Sequence, residues 1–118
     1  MSRKLRVLVV EDEAIIAMTA EDMLDMLGHS VTTIASDLDQ AMAAAEGDGF
    51  DVAMLDINLH GKQSLPVADL LAERGKPFIF TTGYGSSGRP DHHAHVPVVT
   101  KPYGADALGA AILRVAGG

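Results

Sequence analysis

Short apolar runs that end in polar residues alternate with amphipathic segments along almost the whole of this chain. Apolar runs of about four to eight residues are typical of buried strands, and apolar residues spaced three and four apart are typical of helices. This alternation, with short connections, predicts a parallel sheet of about five strands with helices on both faces. The predicted strands are 5–10, 30–34, 50–56, 77–82 and 97–100, and the predicted helices are 14–27, 37–46, 64–74 and 105–115.

One crossover breaks this pattern. After the run 77–82 the chain reads GYGSSGRPDHHAHVP, in which glycine, proline and polar residues dominate. Because glycine and proline are poor helix formers, we predict a short or irregular fourth helix over 84–95. Its histidines, His92, His93 and His95, are predicted to be exposed loop side chains rather than a metal cluster.

Length and composition exclude several classes of protein. The 118 residues suit a single domain, and the lack of cysteine excludes disulfides and thiolate metal sites. No apolar run approaches the roughly 20 residues of a membrane span. The apolar run VLVV within the start MSRKLRVLVVEDE is too short for the apolar region of a signal peptide, so we expect a cytoplasmic protein. The net charge of −7, with scattered basic residues, gives no indication of nucleic-acid binding.

Chemically active side chains follow four of the predicted strands. The first strand runs into Glu11 and Asp12 within VLVVEDE, and the third ends in Asp56 within AMLDINLHG. The fourth ends in Thr82 and the fifth runs into Lys101. In open parallel sheets, ligands bind beyond the carboxyl ends of the strands, so we expect these side chains to converge at one edge.

These residue types suit a hard cation beside a nucleophile. Mg²⁺ prefers oxygen ligands, so Asp12 and Asp56 are predicted to bind it directly, Glu11 to hold one of its waters, and Asn58 to offer its backbone carbonyl. An aspartate carboxylate is a competent acceptor of a phosphoryl group, and the metal offsets the repulsion between phosphate and acids. This assigns the role of phosphoacceptor to Asp56.

A hydroxyl and an ammonium complete the predicted site. The Thr82 hydroxyl and the Lys101 ammonium can hydrogen-bond the phosphoryl oxygens, and the lysine contact is charge-assisted. Thr81 is the alternative to Thr82, which is preferred because Gly83 follows it.

Each residue also has an ordinary structural interpretation. Glu11 and Asp12 suit the start of a helix, where acids stabilise the N-terminus, and Asp56 suits a turn after a strand. Lys101 beside Pro102 suits an exposed loop. The acidic pair, Asp56, Thr82 and Lys101 each stand at the end of a separate apolar strand, and this combination favours a functional site over these alternatives.

Taken together, VLVVEDE, MLDIN, TG and TKPY make the chain resemble the receiver domain of two-component response regulators, over essentially its whole length. The resemblance implies a flavodoxin-like sheet of strand order 2-1-3-4-5. It also implies Mg²⁺-dependent transfer of a phosphoryl group from a phosphohistidine of a partner histidine kinase to Asp56, followed by slow self-dephosphorylation. A protein of this kind is a signalling module rather than an enzyme acting on other substrates.

The chain departs from the usual receiver pattern at one position. Most receivers carry an aromatic residue three positions before the lysine, where this chain has Val98. The stretch PFIFTTGYGSSG is instead similar to a receiver subfamily with a Phe-Ala-Thr-Gly motif, known mostly from alphaproteobacteria, with single-domain members in stress or light signalling. We expect Tyr84 to take over part of the role of the missing aromatic.

The last predicted helix ends close to Gly118. We therefore expect 1–118 to be one receiver domain without an output domain. Its output is then contact with a downstream protein, or competition with another response regulator for phosphoryl groups.

Two other functions are compatible with part of this pattern. A small Mg²⁺-dependent phosphatase with an aspartyl nucleophile would use similar residues, but it usually needs a second acid where this chain has Asn58. A flavin-binding module would need a phosphate-cradling loop after the first strand, where acids stand instead. His60 is expected beside the site, as a surface residue able to influence dephosphorylation.

Overall fold

A computed structural model describes residues 4–83, 89 and 93–116. Within that part of the chain, strands and helices alternate as the sequence predicts, and their bounds agree with the predicted ones to within one or two residues. The strands are β1 (Arg6–Val10), β2 (Ser30–Ala35), β3 (Val52–Asp56), β4 (Asn58–Leu59), β5 (Lys62–Gln63), β6 (Phe78–Thr82) and β7 (Val98–Thr100). The helices are α1 (Ala14–Met26), α2 (Leu38–Ala45), α3 (Leu65–Glu73) and α4 (Ala105–Ala116).

Five of the strands form one parallel sheet in the order β2-β1-β3-β6-β7. With the short strands β4 and β5 set aside, this is the predicted order 2-1-3-4-5, so the flavodoxin-like fold is confirmed. The predicted irregular helix over 84–95 falls mostly outside the described residues, as does Tyr84. None of the helices in the described ranges has the length and hydropathy required to cross a lipid bilayer.

The sheet separates two apolar cores. Alternate residues of the strands face α2 and α3, where Leu8, Leu55 and Phe80 are fully enclosed. The residues between them face α1 and α4, as Ile79 does. Because β3 is covered on both faces, all five of its residues are buried, including its terminal Asp56. Burial on both sides explains why the central strands appear as continuous apolar runs.

A short hairpin, which the sequence analysis did not predict, follows β3 and contains Asn58. Asn58 and Leu59 pair with Gln63 and Lys62 in antiparallel register. The turn between them is made by His60 at φ 49° and Gly61 at φ 80°. Two successive left-handed residues are the mark of a type I′ turn, which matches the twist of a hairpin.

The environment of His93 differs from the one that the sequence predicted. The sequence predicted an exposed loop histidine, but the residue is only 4% exposed in the structure. Its ring lies edge-on to Phe78 and Phe80, and its Nε2 atom lies 2.8 Å from Oδ1 of Asp69 on α3. His95 is exposed, as predicted, and His92 lies outside the described residues.

A different buried histidine gives the fold a predicted pH dependence. His29 follows α1, and its Nδ1 accepts a hydrogen bond of 3.1 Å from the backbone N–H of Leu5. Burial lowers the pKa of His29 below its ordinary value, so the unfolded chain takes up a proton more readily than the folded one. We expect the free energy of unfolding to fall as the pH drops below about 6.5, by at most about 1.4 kcal/mol per pH unit.

Urea unfolding at about pH 7.5 and about pH 5.5 measures this effect. The matched variant is His29→Asn, which keeps a hydrogen-bond acceptor but cannot be protonated in this range. We expect it to lose less stability between the two pH values than the wild type. Equal losses in the two proteins would show that His29 does not contribute to the pH dependence.

Candidate functional site

Three carboxylates meet at the carboxyl ends of the central strands. Asp56 is the last residue of β3, and Glu11 and Asp12 directly follow β1, which pairs with β3. One oxygen of each carboxylate lies within 4.8 Å of one oxygen of each of the others. The structure therefore brings together the acids that the sequence selected from two separate strands.

Lys101 joins two of these acids. Its Nζ lies 2.7 Å from Oδ2 of Asp56 and 2.7 Å from Oε1 of Glu11. The lysine directly follows β7, and its backbone N–H donates to the carbonyl of Thr82 across 2.8 Å. That bond continues the β6–β7 pairing by one residue, which places the ammonium over the ends of the inner strands.

The hairpin after β3 fixes the remaining acid. The backbone N–H of His60, at the tip of the turn, donates to Oδ2 of Asp12 across 2.9 Å. Burial by itself raises the pKa of Asp12, but hydrogen bonds from His60 and Glu11 outweigh it and lower that pKa overall. A backbone hydrogen bond also fixes the position of the Asp56 carboxylate, since its Oδ1 accepts from the N–H of Asn58 across 3.0 Å.

Burial has the opposite outcome at Glu11. Loss of solvent raises the pKa of Glu11 to about 7, although Lys101 and the N–H of Glu13 act to lower it. Burial also acts to lower the pKa of Lys101, but its hydrogen bonds with Asp56 and Glu11 raise it overall. The lysine therefore stays charged and contacts two of the carboxylates, while the third, that of Asp12, lies 3.6 Å from Nδ1 of His60.

An open cavity of about 400 Å³ lies above these groups. The atoms around it that could bind a metal are mainly oxygens. The acidic side chains that line it outnumber its one lysine, so the site has surplus negative charge. Both properties fit a hard divalent cation such as Mg²⁺, which takes oxygen ligands and retains several waters. The cavity is lined by Asp12, Glu13, Asp56, Asn58, His60, Gly61, Gly83 and Lys101.

The predicted hydroxyl lies at the end of β6. Thr81 and Thr82 are both 2% exposed; Thr81 is opposite Asp56 in the sheet register, and Thr82 is opposite Thr100. Thr82 directly precedes Gly83, which lines the cavity. Thr82 does not itself line the cavity, so the assignment of the hydroxyl to Thr82 rests on its position at the end of β6, directly before Gly83.

Sequence reasoning did not single out Tyr103. Its ring packs at the edge of the core formed with α1 and α4, two residues after Lys101. Burial, together with the charge of Glu11, raises the pKa of Tyr103 to about 12. The phenol therefore stays neutral beside the acids, and its place in TKPY was the available signal.

Comparisons with known proteins agree with this arrangement. The family described as the response regulator receiver domain matches residues 7–113. The solution structure of SdrG from Sphingomonas melonis Fr1 is 38% identical, with a TM-score of 0.85 and 98% of both chains covered. The crystal structure of the anti-anti-sigma factor PhyR from Bartonella quintana is 28% identical, with a TM-score of 0.83, and the match covers 98% of this chain and 48% of PhyR.

A plant protein gives a weaker match. "Probable histidine kinase 1" from Oryza sativa subsp. indica is 26% identical over 91 residues, which are 77% of this chain but 9% of the kinase. This chain thus spans less than a tenth of that relative. The family match covers most of the chain, and the similar solved structures share its sheet and helices, so this chain belongs to the response regulator receiver domain family.

Proposed function

We propose that this chain accepts a phosphoryl group on Asp56 from a histidine kinase and signals through the resulting change of shape. The observation that carries the proposal is the contact of Asp56 with Lys101 at 2.7 Å, within a cluster that also brings Glu11 and Asp12 to within 4.8 Å. A strand-end carboxylate facing a cation-favouring cavity and a fixed ammonium is suited to attack on phosphorus.

The transfer forms one bond and breaks one. A carboxylate oxygen of Asp56 attacks phosphorus, and the bond from phosphorus to the donor's imidazole nitrogen breaks, with its electron pair left on that nitrogen. Mg²⁺, when bound, would offset the repulsion between the incoming phosphoryl group and the acids. Asp12, Asp56 and the backbone carbonyl of Asn58 would hold it, and Glu11 would hold one of its waters.

Lys101 and Thr82 are placed to bind the phosphoryl oxygens during the transfer and after it. The ammonium already contacts Oδ2 of Asp56, so it is placed to donate a charge-assisted hydrogen bond to a phosphoryl oxygen. Thr82 supplies a second donor from the end of β6. Because the lysine backbone is bonded to Thr82, a shift of one strand end is passed to the other, which suits a two-state switch.

The surface of α1 supports a protein as phosphodonor. Ile15 is 79% exposed and Met18 is 61% exposed, although both are large apolar side chains. They lie in the first turns of α1, which begins directly after Glu13, a residue that lines the cavity. Apolar side chains grouped beside a reactive site are typical of a surface that a partner covers.

The likeness to SdrG covers 98% of both chains, so it extends over the whole receiver fold. PhyR is described as an anti-anti-sigma factor, so its similarity supports a downstream partner that is a protein. We accordingly assign this chain the role of a cytoplasmic single-domain response regulator. It signals by protein contact or withdraws phosphoryl groups from a competing regulator.

Incubation with acetyl phosphate and Mg²⁺ tests the function. We expect intact-protein mass spectrometry to show the addition of one phosphoryl group, and chelation of Mg²⁺ to prevent it. An unchanged mass at saturating acetyl phosphate would refute the proposal. Continuous turnover of p-nitrophenyl phosphate, in place of a single labelling event, would favour the aspartyl phosphatase instead.

A further inference from the structure

A buried histidine outside the acidic site ties the segment before β7 to helix α3. The side chain of His93 is 5% exposed, and its Nε2 lies 2.8 Å from Oδ1 of Asp69, whose side chain is 52% exposed. A carboxylate can only accept a hydrogen bond, so Nε2 of His93 is the donor. One partner is held in the core while the other stands at the surface of α3.

The ring of His93 also rests on β6. Its centroid lies 5.5 Å from that of Phe78 and 6.1 Å from that of Phe80, at interplanar angles of 79° and 68°. Side chains two apart on a strand share a face, so Thr82 follows Phe80 on the side of the sheet that His93 covers. The histidine therefore contacts the same strand face that carries the proposed switch hydroxyl.

Backbone bonds make this segment one unit with β6. The N–H of Val96 donates to the carbonyl of His93 across 3.0 Å, and the N–H of Phe80 donates to the carbonyl of Pro97 across 2.9 Å. Val98 lies opposite Phe80 in the register and is half-buried on the same face. The face of β6 that carries Phe80 is therefore contacted both by the small side chain of Val98 and by the ring of His93.

We propose that the His93–Asp69 pair is a latch that couples the phosphoacceptor site to the surface formed by residues 93–97. This inference rests on the proposed function, and it assigns to His93 the role of a positioning residue. In the unphosphorylated protein the pair holds the segment against α3. A shift of Thr82 towards a phosphoryl group moves Phe80, displaces the ring that rests on it, and weakens the bond to Asp69.

The latch has a definite energetic direction. Because its hydrogen bond is made in the resting arrangement, its removal favours the shifted arrangement without any change at Asp56. A hydrogen bond of this kind contributes on the order of 1 kcal/mol, so its loss should raise the population of the shifted arrangement about fivefold.

The test compares backbone amide NMR spectra with and without beryllofluoride and Mg²⁺, in the wild type and in Asp69→Ala. Asp69 is exposed, so this variant is expected to fold. We expect wild-type amides near Asp56, Lys101 and residues 93–97 to shift together on addition of beryllofluoride. In Asp69→Ala, the amides of 93–97 should already lie displaced towards the beryllofluoride positions before it is added.

Two matched variants separate coupling from simple stabilisation. Glu73→Ala removes another exposed acid of α3 and should leave the resting spectrum of 93–97 unchanged. Asp69→Asn keeps a hydrogen-bond acceptor and should restore most of the wild-type resting positions. A role confined to stability would lower the urea midpoint of Asp69→Ala but leave the beryllofluoride response of 93–97 as in the wild type.

The possible outcomes test the latch separately from the proposed phosphoacceptor function on which it rests. If the amides of 93–97 start and finish at wild-type positions in Asp69→Ala, while those near Asp56 respond, the latch is refuted and the phosphoacceptor function stands. If the wild type shows no response near Asp56 or Lys101, both are refuted. Displaced resting amides in Asp69→Ala and their return in Asp69→Asn support the latch.

Discussion

Replacement of Asp56 by asparagine is expected to abolish phosphoryl uptake from acetyl phosphate while the protein remains folded. An amide is not a competent nucleophile towards phosphorus, so mass spectrometry should detect no phosphorylated Asp56→Asn under conditions that label the wild type fully. The fold should tolerate the change, because Lys101 still pairs with Glu11 and the asparagine oxygen can still accept a hydrogen bond. We expect the free energy of unfolding to change by less than about 1 kcal/mol.

A remote aspartate provides the matched control. Asp48 is exposed and pairs with Arg74, and it precedes the start of β3, whereas Asp56 stands at the opposite end of that strand. Asp48→Asn makes the same chemical change and should be labelled at the wild-type rate. Labelling of Asp56→Asn to the wild-type extent would move the nucleophile to another residue and remove the proposed role of Asp56.

The fold was largely predictable because its strands are short, apolar and enclosed on both sides. Each of Val52–Asp56 and Phe78–Thr82 is buried, and each appears in the sequence as an uninterrupted apolar run with a polar end. Parallel strands share one carboxyl edge, so the pattern also brought Asp56 and Lys101 into one predicted site. Local sequence was sufficient to predict the site because the parallel arrangement of the strands brings their carboxyl ends together.

The burial of His93 was not predictable in the same way. Its ring is enclosed by Phe78, Phe80 and the carboxylate of Asp69, which precedes it by 24 residues. No periodic apolar pattern surrounds it, and its neighbours are polar, so composition indicated an exposed loop. The environment of a single polar residue depends on tertiary contacts that strand and helix periods do not encode.

The hairpin after β3 did leave a local signal. Gly61 readily adopts the left-handed conformation that the second central residue of a type I′ turn requires. The sequence prediction for this stretch was confined to metal binding by Asp56 and by the backbone carbonyl of Asn58. The hairpin has a consequence for that chemistry, since its tip supplies the N–H that holds Asp12.

Removal of the Lys101 ammonium is expected to affect both stability and phosphoryl uptake. Lys101→Met keeps the length of the side chain but leaves the carboxylates of Glu11 and Asp56 buried without their cation. Unpairing buried charges costs about 3–5 kcal/mol. We expect about 3 kcal/mol in Mg²⁺-free buffer at neutral pH, the lower end of that range, because Glu11, with a pKa raised to about 7, can take up a proton. The labelling rate with acetyl phosphate and Mg²⁺ should fall by about 10²–10³.

A second substitution in the same cluster separates these two effects. Glu11→Gln combined with Lys101→Met removes one of the stranded charges, so the double variant should be more stable than Lys101→Met alone, by about 1–2 kcal/mol. It should not regain labelling, because the donor to the phosphoryl oxygens is still missing. Lys62→Met, on the exposed hairpin, is the control for loss of a lysine and should match the wild type in both measurements. If Lys101→Met unfolded at the wild-type urea concentration, the two 2.7 Å contacts would add nothing to stability, and the lysine would be held there for chemistry alone.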